Sequence, residues 1–113
     1  MKIKSVKVEA LCRYWCWHNF VTIRNDEGRA LYLMDGEIVT KEEGNTKFLE
    51  LKRKATTFNQ DVKEWECTLE EAIKPFEEAI DPYTHYIDNY EQEKAAERRN
   101  EHLRKVIAAI KNL

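Results

Sequence analysis

Apolar and polar residues alternate with period two from the start of the chain. The run "IKSVKVEA" (residues 3–10) has this pattern, and "FVTIRN" (residues 20–25) repeats it, so both read as β-strands with one buried face. "NDEG" (Asn25 to Gly28) is a turn cluster. "RALYLM" and "EIVTK" then flank Asp35-Gly36, and an Asp-Gly pair between apolar runs is a strong hairpin signal. Closing that loop pairs Leu33 with Ile38 and Leu31 with Thr40 on one face, with Tyr32 and Val39 on the other. "EEGNT" (Glu42 to Thr46) reads as a second turn, "KFLELKRKATTF" as a further strand, and "NQD" as the turn into "VKEWECT". The expectation is an antiparallel meander of five or six strands over residues 2–67.

From Thr68 the period changes. "TLEE" is a capping box, in which Thr68 caps a helix and Glu71 reaches back to it. Leu69, Ala72, Ile73, Phe76 and Ile80 recur at helical spacing, a stripe suited to covering the sheet over residues 69–80. Pro75 lies inside this stripe, where a missing N–H and a clash with the carbonyl four residues back predict a kink. Asp81 and Pro82 then supply the cap and first position of a long helix over residues 82–112. Near its end Leu103, Val106, Ile110 and Leu113 form an apolar stripe about one heptad long. The first reading packs this stripe on its own domain, and the second uses it as a homodimer contact. Together these patterns predict one α+β domain over residues 1–113, with a β part at 1–67 and a helical part at 68–113.

Composition narrows the class. With 113 residues, 42% hydrophobic and 35% charged, the chain has the profile of a single soluble globular domain. No apolar run approaches the ~20 residues of a membrane span, and the N-terminus lacks the continuous apolar segment of a signal peptide. A cytoplasmic location without membrane association is the expectation. Gly28, Gly36 and Gly44 all read as turn residues, which leaves no phosphate-binding loop.

Charge adds an asymmetry that the net value of −2 conceals. Between Asp61 and Glu93 there are eleven carboxylates against Lys63 and Lys74 alone. Such a segment gains nothing from nucleic-acid phosphates and attracts a basic protein surface. Glu70, Glu71, Glu77 and Glu78 form two pairs seven residues apart, so equivalent members return to one helical face. Tyr83, Tyr86 and Tyr90 add an aromatic group beside them.

The densest stretch is "CRYWCWHNF", Cys12 to Phe20. Cys12, Cys16 and His18, with Cys67 as a fourth ligand, are the sharpest candidates for a metal, since His85 and His102 lie apart on the long helix. Their spacing lacks the two close pairs of structural zinc, so neither metal nor cofactor is expected. A Cys/His catalytic pair has no marked orienting group or oxyanion hole, and no enzymatic activity is expected. As a strand, the stretch places Cys12, Tyr14, Cys16, His18 and Phe20 on one face and Arg13, Trp15, Trp17, Asn19 and Val21 on the other.

The function these patterns point to is non-catalytic binding. The chain reads as a stoichiometric regulator or inhibitor that docks on a basic surface of a protein partner through its acidic helical face, imitating nucleic-acid charge. Small proteins of this kind are often of phage or mobile-element origin. Its partner-binding residues are then Glu70, Glu71, Glu77, Glu78, Tyr83, Tyr86, Tyr90, Trp15, Trp17 and Arg13. The alternative is a nucleic-acid-binding module in the basic β half, with Trp15 and Trp17 stacking bases and Lys2, Lys4, Lys7 and Arg13 on phosphates.

Overall fold

The computed structural model describes residues 1–82 and 90–113. These residues form two compact units, Met1–Cys67 with Leu113, and Thr68–Asn112.

The first unit is a five-stranded antiparallel sheet with one helix. Its strands are β1 (Lys2–Leu11), β2 (Trp15–Arg24), β3 (Ala30–Met34), β4 (Glu37–Val39) and β5 (Thr57–Glu66). They lie in the order β4-β3-β2-β1-β5. The first four form a meander, whereas β5 returns to the far edge and pairs with β1. Asp35 and Gly36 have φ of 52° and 84°, the positive values of a type I′ turn. That turn sets the expected pairs Leu33 with Ile38 and Tyr32 with Val39. Leu31 does not pair with Thr40, because β4 ends at Val39 and Thr40 caps the helix that follows.

That helix, α1 (Lys41–Lys54), replaces the turn and strand expected over residues 42–58. Thr40 Oγ1 accepts from the Glu43 N–H at 3.1 Å, and the Glu43 carboxylate accepts from the Thr40 N–H at 3.4 Å. This is the same capping box as "TLEE", written "TKEE". Gly44 is accordingly no turn residue. It lies buried in α1, where an added Cβ would stand 2.6 Å from the Phe20 ring, so the glycine lets helix and sheet approach closely. Phe48 and Ala55 pack with Phe20 and Phe58 on Val6, Val8 and Ala10, and the Phe48 and Phe58 rings meet edge-on at 5.4 Å.

β1 changes its buried face midway. Ile3 and Ser5 are buried on one side, and Val6, Val8 and Ala10 on the other. Cross-strand partners share a face, so Ile3 belongs with Ile23, and Val6 with Phe20 and Val62.

In the second unit, α2 (Leu69–Ala79) starts at the Thr68–Glu71 capping box and runs unbroken through Pro75, burying Ala72 and Ile73. α3 is described over Tyr90–Lys111 and packs on α2. Asn100, 1% exposed, clamps the chain beyond α2. Its Oδ1 accepts from the Asp81 N–H at 2.9 Å, and its Nδ2 donates to the Asp81 carbonyl at 2.7 Å. Val106 and Ile110 are both fully buried. A homodimer through Leu103, Val106, Ile110 and Leu113 needs those two side chains at the surface, so that reading is corrected. Among the described residues, no helix is long and apolar enough to cross a membrane.

Candidate functional site: the tryptophan face of the sheet

β1 and β2 are joined by three residues, Cys12 to Tyr14, with Leu11 opposite Trp15. The hairpin therefore turns inside the aromatic-rich stretch, and strand alternation starts at Trp15. From there Cys16, His18 and Phe20 share the α1 side, and Trp15, Trp17, Asn19 and Val21 share the other. Tyr14, Trp15 and Trp17 are 72%, 42% and 65% exposed. Arg13 is exposed in the turn beside them.

Cross-strand register orders what surrounds Trp17. Asn59, Glu9 and Trp17 form one row across β5, β1 and β2, and Asp61, Lys7 and Asn19 form the next. A cavity of about 490 Å³ lies over these two rows and reaches Asp35. Five of its side chains are tied by hydrogen bonds. The Trp17 Nε1–H donates to Glu9 Oε1 at 3.0 Å. Asn19 Oδ1 accepts from the Ser5 hydroxyl at 3.0 Å, which turns the Asn19 NH₂ away from that bond. Asp35 Oδ1 accepts from the Asn19 N–H at 2.8 Å, and Asp35 Oδ2 lies 2.7 Å from His18 Nδ1. A carboxylate only accepts, so His18 Nδ1 carries the proton of that bond.

The Ser5 hydroxyl is used by Asn19, and the Cys16 thiol donates to the Tyr14 carbonyl at 3.8 Å, so neither hydrogen-bonds to His18. Cys12, Cys16 and Cys67 are half-buried thiols. Among the described residues, no group of three or more His, Cys, Asp or Glu is placed to hold a metal ion.

The structure also separates residues that the sequence groups together. Lys2 and Lys4 lie on the α1 side of the sheet, in the half away from the hairpin, and only Lys7 shares the face of Trp17. The phosphate-binding set expected around the tryptophans is corrected accordingly. The acidic run from Asp61 to Glu93 crosses from one compact unit to the other. Glu64 and Glu66 on β5 lie 4.0 Å and 3.9 Å from the ammonium groups of Lys4 and Lys2. On α2, Glu71 is engaged in the capping box and Glu78 lies 3.8 Å from Lys74. Glu70 and Glu77 are exposed. Tyr90 is 68% exposed with the Lys94 ammonium 4.9 Å from its ring centre, while Tyr83 and Tyr86 lie outside the described residues.

Tyr14, Glu9, Asn59 and Asp61 join this surface without being singled out by the sequence. Tyr14 and Glu9 arrive through the β1–β2 hairpin, whereas Asn59 and Asp61 depend on β5 pairing with β1, and α1 separates β5 from its partner by a connection that local patterns do not reveal. No protein-family model matches the chain, and no curated protein or solved structure is significantly similar to it.

Proposed function

We propose that this chain is a non-catalytic binding protein, a stoichiometric regulator or inhibitor that engages a basic protein surface. The observation that carries the reading is Trp17, which is 65% exposed yet has its indole held by Glu9 at 3.0 Å. An exposed, oriented tryptophan beside Trp15, Tyr14 and Arg13 has the composition of an interface anchor. It loses little side-chain entropy when a partner covers it. Around the cavity, Glu9, Asp35 and Asp61 outnumber Lys7. That balance favours a basic protein over nucleic-acid phosphates. Glu70 and Glu77 on α2 supply further exposed negative charge suited to the same kind of partner.

Affinity capture from the native host, followed by binding kinetics on the retained protein, tests the proposal. Trp17→Ala should weaken binding by about thirtyfold or more, the range of an anchor residue. Glu70→Lys with Glu77→Lys should slow association, and circular dichroism should show the fold intact. Equal binding by wild type and Trp17→Ala overturns the reading. Saturable quenching of tryptophan fluorescence by a single-stranded oligonucleotide at moderate salt, retained in Trp65→Phe and lost in Trp15→Phe/Trp17→Phe, overturns it in favour of the nucleic-acid alternative.

A further inference from the structure

The opposite face of the sheet carries a second concavity, remote from Trp15 and Trp17. α1 covers Val6, Val8 and Ala10 and leaves the first half of β1 on that side open. Lys41, Asn45 and Phe48 stand on one face of α1 at helical spacing and form one wall. This open concavity has a volume of about 640 Å³, within the range of small-molecule sites.

Its charge is unbalanced. Lys2 and Arg24 are direct cross-strand partners, and like charges placed opposite one another repel. Lys4 lines the same cavity from the next position on this face, and Lys41 joins from the helix. The opposing carboxylates are Glu64 and Glu66 on the edge strand, in loose contacts of 4.0 Å and 3.9 Å with Lys4 and Lys2. Four cations thus face two anions. Arg24 commits one guanidinium nitrogen to the Gly28 carbonyl at 2.9 Å, which leaves further N–H donors on its fork.

Most of the remaining wall is aromatic or aliphatic, with Trp65, Ile3 and Val6 among its residues. Phe20 and Tyr32 stack with ring centres 6.2 Å apart and planes 20° from parallel, and Phe48 adds a third ring. Thr22 and Asn45 supply neutral hydrogen-bonding groups. A complementary ligand therefore combines a flat ring, neutral hydroxyl groups and at least two negative charges. We propose that this cavity binds a nucleoside phosphate, with its phosphates toward Lys2, Lys4, Arg24 and Lys41 and its base against the aromatic wall.

Calorimetric titration of the full chain with ADP, at low salt and without divalent metal, tests the proposal. Saturable one-to-one binding is expected, weakened about tenfold by Lys4→Gln and again by Lys41→Gln, since each removes one charge-assisted contact. Glu64→Gln with Glu66→Gln should tighten binding severalfold, an outcome that misfolding does not mimic. Adenosine and tripolyphosphate should each bind at least tenfold more weakly than ADP. Absence of saturable heat, unchanged affinity in the Lys4→Gln/Lys41→Gln variant with native circular dichroism, or tripolyphosphate binding as tightly as ADP would overturn it.

Discussion

Gly44→Ala should destabilise this protein, although the same change in an ordinary helix interior stabilises by about 1 kcal/mol. The new Cβ would stand 2.6 Å from both Cε2 and Cζ of Phe20. Carbon atoms prefer about 3.5–4.0 Å, so the overlap is roughly an ångström. Phe20 has little freedom to yield. It lies on a central strand between Val6 and Met34, and its ring stacks on Tyr32. The alternative is for α1 to lift, which loosens Phe48 from Phe58. Overpacking of this kind costs about 1–3 kcal/mol, which leaves a net loss of up to about 2 kcal/mol after the helix gain. Urea unfolding followed by far-ultraviolet circular dichroism reads this as a lower midpoint. Phe20→Leu provides the control, because it shortens the side chain that α1 meets. In that background Gly44→Ala should become stabilising by about 1 kcal/mol, giving a coupling of about 2 kcal/mol between the sites. A raised midpoint for Gly44→Ala alone, or the same effect in both backgrounds, would refute the close-approach argument.

Substitutions at two further positions test the polar clamps. Asn100→Ala removes both hydrogen bonds to the Asp81 backbone from a site only 1% exposed, and should destabilise by about 2–4 kcal/mol in the same urea assay. Asp35→Ala loses the acceptor for the Asn19 N–H and places alanine at φ 52°, for about 1–2 kcal/mol. Asp35→Asn keeps an acceptor oxygen and tolerates that backbone, so it should cost under about 1 kcal/mol. An order reversed between the two Asp35 variants would remove the turn from the account.

Much of this fold is written in local signals, and the parts that are not have identifiable causes. Asp35-Gly36 fixes its hairpin because both positions need positive φ, and the Thr68–Glu71 box starts α2 where expected. α1 escapes the pattern because Gly44 and Asn45 look like turn residues and Leu49, one of its few apolar side chains, is 63% exposed. Its cap is legible as "TKEE", but the demand for glycine comes from Phe20, a tertiary contact. The Cys12–Tyr14 turn contains no glycine, proline, asparagine or aspartate, so nothing local announces it. The acidic run looks continuous along the chain. Among the described residues it is divided between an edge strand with lysine neighbours, α2, which uses one glutamate as its own cap, and the first turn of α3.

The exposure of the tryptophans follows from strand parity more than from any property of indole. Shifting β2 by one residue would carry Trp15 and Trp17 to the α1 side and bring Cys16 and His18 out. Three contacts oppose that slip: Ser5 to Asn19, Trp17 to Glu9, and Asp35 to the Asn19 backbone. The bonds that hold the register are therefore also the bonds that orient the indole and the amide outward. A side chain of this size left 65% exposed forgoes roughly 3–4 kcal/mol of apolar burial, and a partner that covers it recovers that contribution on binding. Because Glu9 already restrains the ring, the recovered term meets little opposing entropy. The Ser5–Asn19 and Asp35–Asn19 bonds still hold the register when the indole is removed, so Trp17 is the position where a single truncation should separate binding from folding.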